Sequence, residues 1–206
     1  DLRFELGEDH TLVHSRLTVI RAQSTPVGTP LALDGQHLEL IALELNGTPL
    51  AADRYRVDAN HLTLLDPPAE FELAVVTRLR PQDNTALQGL YRSSGNFCTQ
   101  CEAEGFRRIT YFLDRPDVMA VFTTTLIADQ ARYPVLLANG NPVASGALDD
   151  GRHWVRWYDP FSKPCYLFAL VAGHLQFIED RFVTRSGRTV TLRIYVEPAN
   201  IGQCDH

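Results

Sequence analysis

From Phe71 to Arg80 side chains alternate residue by residue. Phe71, Leu73, Val75, Thr77 and Leu79 fall on one side, with Glu72, Ala74, Val76, Arg78 and Arg80 on the other. A period of two is the signature of a strand with one covered face, and it cannot be reconciled with a helical stripe. Met119, Val121, Thr123, Thr125 and Ile127 repeat the pattern, as do Val190, Leu192, Ile194 and Val196. Asp34-Gly35, Asn46-Gly47, Asn139-Gly140, Asp150-Gly151 and Ser186-Gly187 separate such runs, and these residue types tolerate the positive φ of tight reversals. The plainest hairpin runs through Arg185, turns at Ser186-Gly187 and returns from Arg188 to Glu197. The unbroken apolar stretch Cys165 to Ala172 reads as a strand covered on both faces. Only Ala103 to Leu113 suggests helix, one or two turns ending before Pro116. The expected fold is all-β: a saddle-shaped, multi-stranded, sandwich-like domain with at most one short helix, residues 1–206 forming a single domain.

With 206 residues, 45% of them hydrophobic, the chain can bury a core without metal or disulfide support. The 25 acidic residues outnumber 19 basic ones, for a net charge of -6. That balance speaks against a nucleic-acid partner or an anionic membrane, both of which reward clustered positive charge. No apolar run reaches the ~18 to 20 residues of a membrane span. Four cysteines are too sparse for a disulfide scaffold, so a reducing cytoplasmic setting is expected. The chain opens on Asp1 and its only methionine is Met119, so a processed chain or a piece of a larger polypeptide is expected.

Several motifs are candidates for chemistry. His10 and His14 have the four-residue spacing of a zinc helix, but Thr11 stands where a general-base glutamate would be and the flanks read as strand. On a strand, residues four apart lie roughly 13 Å apart, too far to share a zinc. Cys98 and Cys101 form a C-x-x-C with no βαβ context and no second ligand pair. His37, His61, His153, His174 and His206 are scattered. Trp154 and Trp157 are three apart, so a strand points them to opposite faces, and core packing is the simpler reading. In Gln100-Cys101-Glu102 an extended backbone would send Gln100 and Glu102 to one face and Cys101 inward. An amide oxygen beside a carboxylate suits an ammonium, whose three donors want three acceptors.

The stretch Leu90 to Val118, containing Gly95-Asn96-Phe97-Cys98-Thr99-Gln100-Cys101-Glu102-Ala103-Glu104-Gly105-Phe106-Arg107 and Tyr111-Phe112-Leu113-Asp114-Arg115-Pro116-Asp117, resembles the N-terminal domain of the aminopeptidase N family. These are zinc aminopeptidases of the gluzincin class. The likeness continues at Tyr133-Pro134, Leu137 to Asn141, Gly151 to Trp154, Asp159 to Phe161, Lys163 to Gly173 and Thr184 to Arg188. The segment from Tyr111 to Asp117 is similar to the branch containing the Gram-negative bacterial enzymes. The resemblance implies that residues 1–206 are one saddle-shaped β-domain of a larger enzyme, packed over a thermolysin-like catalytic domain that this sequence lacks. It implies that Gln100 and Glu102 hold the free α-amine of a peptide substrate, a third acceptor coming from a Gly-x-Met-Glu-Asn motif in that other domain. Glu104 is the runner-up carboxylate. Neither the zinc motif H-E-x-x-H nor the catalytic tyrosine occurs here, so the implied zinc belongs to the parent enzyme, a bacterial cytoplasmic metalloaminopeptidase of the membrane alanyl type. The fragment alone is expected to be inactive, to bind no cofactor and to carry no catalytic residue; its implied partners are the catalytic domain of its own polypeptide and the substrate N-terminus. The rival readings are a free-standing β-sandwich binding module and a thiol-redox protein using Cys98 and Cys101.

Overall fold

The computed structural model describes residues 1–204, so His206 lies outside the described residues. In chain order the strands are β1 (Leu2–Leu6), β2 (Thr11–Ile20), β3 (Leu31–Asp34), β4 (Glu39–Leu45), β5 (Thr48–Pro49) and β6 (Tyr55–Val57). Then follow β7 (His61–Leu64), β8 (Glu70–Leu79), β9 (Gly89–Ser93), β10 (Asn96–Gln100), β11 (Met119–Asp129) and β12 (Val135–Ala138). The last are β13 (Asn141–Ala147), β14 (Arg152–Pro164), β15 (Leu170–Gly173), β16 (Gln176–Val183) and β17 (Thr189–Val196). The only helical elements among the described residues are five short 3₁₀ turns, the longest being Pro198–Gln203. The all-β reading is correct.

Eight strands build the main sheet in the order β13-β14-β11-β1-β2-β8-β4-β5. Its centre is β1, antiparallel to β2 and parallel to β11, with Phe4 opposite both Val13 and Leu126. Register then fixes the faces. Phe71, Leu73, Val75, Thr77 and Leu79 of β8 are all buried, as their alternation requires, and they lie on the face that holds Phe4 and Val13. Two smaller sheets cover that face. The four-stranded sheet β12-β15-β10-β9 packs over Phe4, Val13, Leu79 and Leu126 through Leu90, Phe97, Leu136 and Leu170. The three-stranded sheet β3-β7-β6 packs over Leu43, Phe71, Leu73 and Val75 through Leu33, Leu62 and Leu64. Each fully buried Leu, Val or Phe contributes about 1.5 to 3 kcal/mol, so these two side-by-side cores hold the layers together.

Four expectations need correction. The covered face of β11 is opposite to the one its alternation suggested: Phe122, Thr124 and Leu126 are buried, whereas Met119 and Val121 are exposed. Cys165 to Ala172 is not one strand: β14 stops at Pro164, a 3₁₀ turn spans Cys165–Leu167, and β15 starts at Leu170. The run is apolar because Cys165 and Phe168, at 1% and 3% exposure, drop from the turn into the first core. Asp34-Gly35 is not a positive-φ reversal; Gly35 is small because the Tyr111 ring occupies the place of a Cβ. Between Ala103 and Leu113 the chain makes a turn and then one 3₁₀ turn, Phe106–Arg108, rather than α-helix.

Candidate substrate-anchoring site

The β9–β10 hairpin delivers Gln100 and Glu102. Ser93 faces Asn96 across a two-residue turn in which Ser94 and Gly95 both have positive φ, 49° and 83°. Both angles positive is the type I′ geometry that matches the twist of paired strands. β10 ends at Gln100, opposite Gly89. The chain then doubles back, and the Gly105 N–H donates to the Cys101 carbonyl at 2.8 Å. Exposure alternates through this end: Gln100 exposed, Cys101 buried at 3%, Glu102 exposed.

The Gln100 side-chain amide donates from Nε2 to the Glu102 backbone carbonyl at 3.1 Å. That bond fixes which end of the amide is spoken for and leaves Oε1 as the acceptor. Among the described residues the Glu102 carboxylate has no hydrogen bond or ion pair. Glu104, the runner-up, is engaged by Arg107 at 3.4 Å. An unengaged amide oxygen and an unengaged carboxylate, two residues apart, can together accept two hydrogen bonds from one cation. They lie on open surface; neither lines the main clefts of the molecule. A cavity of about 570 Å³ lies instead between Leu17 to Ile20 and Met119 to Thr123.

Beneath this exposed pair the loop is rigidly braced. Phe106, fully buried, meets Phe112, Phe122 and Phe168 edge-on with ring centroids 5.1, 6.0 and 5.3 Å away. Arg107 donates to one Asp114 oxygen from its backbone N–H at 3.0 Å and from Nε at 2.9 Å, and from Nη2 to the Asp114 carbonyl at 3.2 Å. Asp114 takes a further bond on its other oxygen from the Cys165 thiol at 3.0 Å, and its own N–H donates to Asp34. Gly105 has no room for a Cβ, which would strike the Gln100 carbonyl and sit 3.0 Å from the Cys101 Cα and the Gly89 nitrogen. Sequence reasoning missed Asp114, Arg107 and Gly105. Their only signal was membership of the stretch that carries the family resemblance.

The other motifs resolve as structure. His10 precedes β2 and His14 lies within it, 3.4 Å from Glu5, so the pair never shares a helix face. Trp154 and Trp157 lie on opposite faces of β14 and are half-buried, Trp157 donating to the Leu136 carbonyl at 3.2 Å. All four cysteines are free. Burial pushes the Cys98 thiol up, and burial with Asp114 nearby takes Cys101 to about 12. A redox pair needs at least one depressed thiol, so the thiol-redox reading loses its support. Cys165 is also raised, by burial and then by its bond to Asp114, which suits a thiol that serves as a donor. No three His, Cys, Asp or Glu side chains converge among the described residues, so the donor set here does not fit a zinc ion.

Residues 10–167 match the family described as the peptidase M1 N-terminal domain. This chain belongs to that family. It is similar to aminopeptidase N of Escherichia coli strain K12, 49% identical over 201 residues that make up 98% of this chain and 23% of the relative. The aminopeptidase N of Caulobacter vibrioides is 51% identical, covering 96% of this chain and 22% of its own length. The chain thus spans less than a quarter of the curated relatives it matches. Among solved structures, Legionella pneumophila aminopeptidase A in complex with aspartic acid superposes with a TM-score of 0.93 at 36% identity, over 99% of this chain and 24% of that one. An M1 zinc metallopeptidase from Deinococcus radiodurans, bound to a Tyr-Ser-Ala substrate, shares the fold with a TM-score of 0.78 at 20% identity, over 96% of this chain and 46% of that one.

Proposed function

We propose that residues 1–206 are the single N-terminal domain of a bacterial zinc metalloaminopeptidase, of the membrane alanyl aminopeptidase type, and that Gln100 and Glu102 seat the α-ammonium of its peptide substrate. The observation that carries this reading is the exposed, unengaged acceptor pair on a loop anchored by Phe106 and Arg107. A primary ammonium brings three donors; this pair supplies two acceptors, and the third comes from the rest of the polypeptide, as does every zinc ligand. Removal of one residue at a time requires a fixed distance from amine to scissile bond, and a braced loop provides a fixed origin. An N-acylated peptide brings no cation and leaves Glu102 desolvated and unpaired in the closed complex, so selectivity comes from rejection as well as attraction. Four free cysteines support a reducing, cytoplasmic location.

The test is Glu102→Ala in the full-length enzyme with a free-amine substrate. The expected loss in kcat/KM is about 2 to 4 kcal/mol, the range for truncating one partner of a desolvated charge contact. Unchanged kcat/KM would overturn the anchoring role. The 206-residue chain alone should show no turnover.

A further inference from the structure

Among the described residues, every partly buried arginine but one has an acceptor. Arg21 donates to the Pro67 carbonyl, Arg78 to Glu39, Arg92 to Glu8, Arg107 to Asp114 and Arg152 to Asp150. Arg108 is the exception: its side chain makes no hydrogen bond or ion pair. Its Nε–H is also shut off from solvent, so water does not stand in for the missing acceptor there. A guanidinium stays protonated at any pH a protein meets, so Arg108 cannot relieve its position by losing the charge.

Arg108 lines a pocket of about 670 Å³ between the start of β4, the end of β8 and residues 83–86. The other charges there are matched: Arg78 is held by Glu39 at 3.0 Å, and Arg80 lies 4.0 Å from Asp83. Exposed His37 also lines the pocket and adds a charge only when protonated. Three arginines against two carboxylates leave a single positive charge, and it belongs to Arg108. The wall beside it is apolar, with Leu79 and Leu90 buried and Leu38 partly so.

Each feature narrows the ligand. One surplus positive charge suits a monoanion better than a phosphate dianion. A planar guanidinium meets a carboxylate edge with two parallel N–H bonds. Apolar walls next to such a fixed polar group favour an aliphatic group joined to the carboxylate.

We propose that Arg108 and the pocket it lines bind an aliphatic monocarboxylate, borne by a peptide C-terminus or by a short branched-chain acid. The site shares no residue with Gln100 and Glu102 and takes the opposite charge. It lies close to them: a Cβ added to Gly89 would be 2.8 Å from the Arg108 Cβ, and Gly89 faces Gln100 across the β9–β10 hairpin.

Titration of the 206-residue chain with N-acetyl-L-leucine, which has a carboxylate but no amine, tests this through the arginine Nε–H resonances. The expected Kd is about 1 to 10 mM, in keeping with a ligand of that size. The Arg108 signal should move, whereas that of Arg193, whose Nε already donates to Glu179 at 2.8 Å, should not. L-leucinamide, with an amine and no carboxylate, should leave the Arg108 signal in place. Isocaproate, which keeps the carboxylate and the aliphatic group without the amide, separates the two sources: equal affinity assigns the free acid, and tenfold weaker binding assigns the peptide terminus. Arg108→Gln should raise the Kd at least tenfold, and Arg108→Lys, which keeps the charge but loses the paired bonds, should raise it less. If Arg108→Gln does not fold, the resonance shifts of the unaltered chain decide alone. No saturation by either acid at tens of millimolar would overturn the proposal, as would an unmoved Arg108 signal or loss of binding in the full-length protein. Because neither acid carries an amine, that failure would leave the anchoring role of Gln100 and Glu102 standing.

Discussion

The backbone N–H and the guanidinium Nε of Arg107 converge on a single oxygen of Asp114, at 3.0 and 2.9 Å, in a place where the Asp114 side chain is 1% exposed. The pair ties the loop that follows Gln100 to the segment entering β11. Removing the carboxylate strands a largely buried cation, the situation that costs about 3 to 5 kcal/mol. Asp114→Ala should therefore lower the urea midpoint of the chain by an amount equivalent to about 3 kcal/mol, with the slope of the transition unchanged.

Gln100 and Glu102 should behave in the opposite way. Both are exposed, so Gln100→Ala and Glu102→Ala should each change the stability of the chain by less than about 0.5 kcal/mol. In the full-length enzyme Gln100→Ala should cost less in kcat/KM than Glu102→Ala, because a neutral acceptor is worth about half a charged one. Equal losses for the two variants on one free-amine substrate would show that the amide does more than accept one bond.

Gly105 separates packing from chemistry. A Cβ there collides with the Gln100 carbonyl and approaches the Cys101 Cα and the Gly89 nitrogen to 3.0 Å. All three are backbone, which cannot swing aside like the end of a side chain. Gly105→Ala should destabilise the chain by about 1 to 3 kcal/mol, as overpacking does, and should raise KM in the full-length enzyme by displacing Gln100. Calorimetry and steady-state kinetics read the two effects apart.

Glu8 and Tyr133 set a pH dependence remote from the proposed site. The Tyr133 hydroxyl donates to Glu8 Oε1 at 2.6 Å, while Arg92 and Arg132 approach Oε2 at 3.1 and 2.9 Å. Burial by itself would raise the Glu8 carboxyl, but the Tyr133 bond and the two arginines outweigh it and hold it below the usual range. Burial, then the bond to Glu8, pushes Tyr133 up to about 12. A lowered acid adds stability above its unfolded value that disappears as pH falls; a raised phenol adds stability below about 10 that disappears as pH climbs through about 12. Tyr133→Phe should cost about 1.5 to 3 kcal/mol at neutral pH and flatten the alkaline limb of the stability profile between pH ~10 and ~12. Denaturant melts across that range measure both.

Local features were readable where one residue type has one use. Asn46-Gly47 gives a two-residue turn between Leu45 and Thr48 with φ of 52° and 75°, and the alternation in β8 names its buried face residue by residue. The exposed-buried-exposed order at 100 to 102 agrees with the expectation, but extended backbone is not its cause: β10 ends at Gln100 and Glu102 already lies in the turn. What could not be read is whatever depends on a distant partner. Asp114 looks like a surface carboxylate until Arg107 and Cys165, seven and 51 positions away, are brought to it. The break after Pro164 was hidden because a run covered from several directions is as apolar as a strand covered on two faces. The hairpin at Ser186-Gly187 was legible, yet its strands stop at Val183 and start again at Thr189, leaving a longer turn than the dipeptide suggests.

The position of β1 at the middle of the main sheet carries a cost during synthesis. Its first neighbour, β2, follows at once, but its other neighbour, β11, is completed only at Asp129. At the pace of translation that means on the order of ten seconds in which one edge of the nascent sheet stays open. An unpaired edge beside Phe4 invites the wrong strand, so this chain should be most vulnerable to aggregation while still attached to the ribosome.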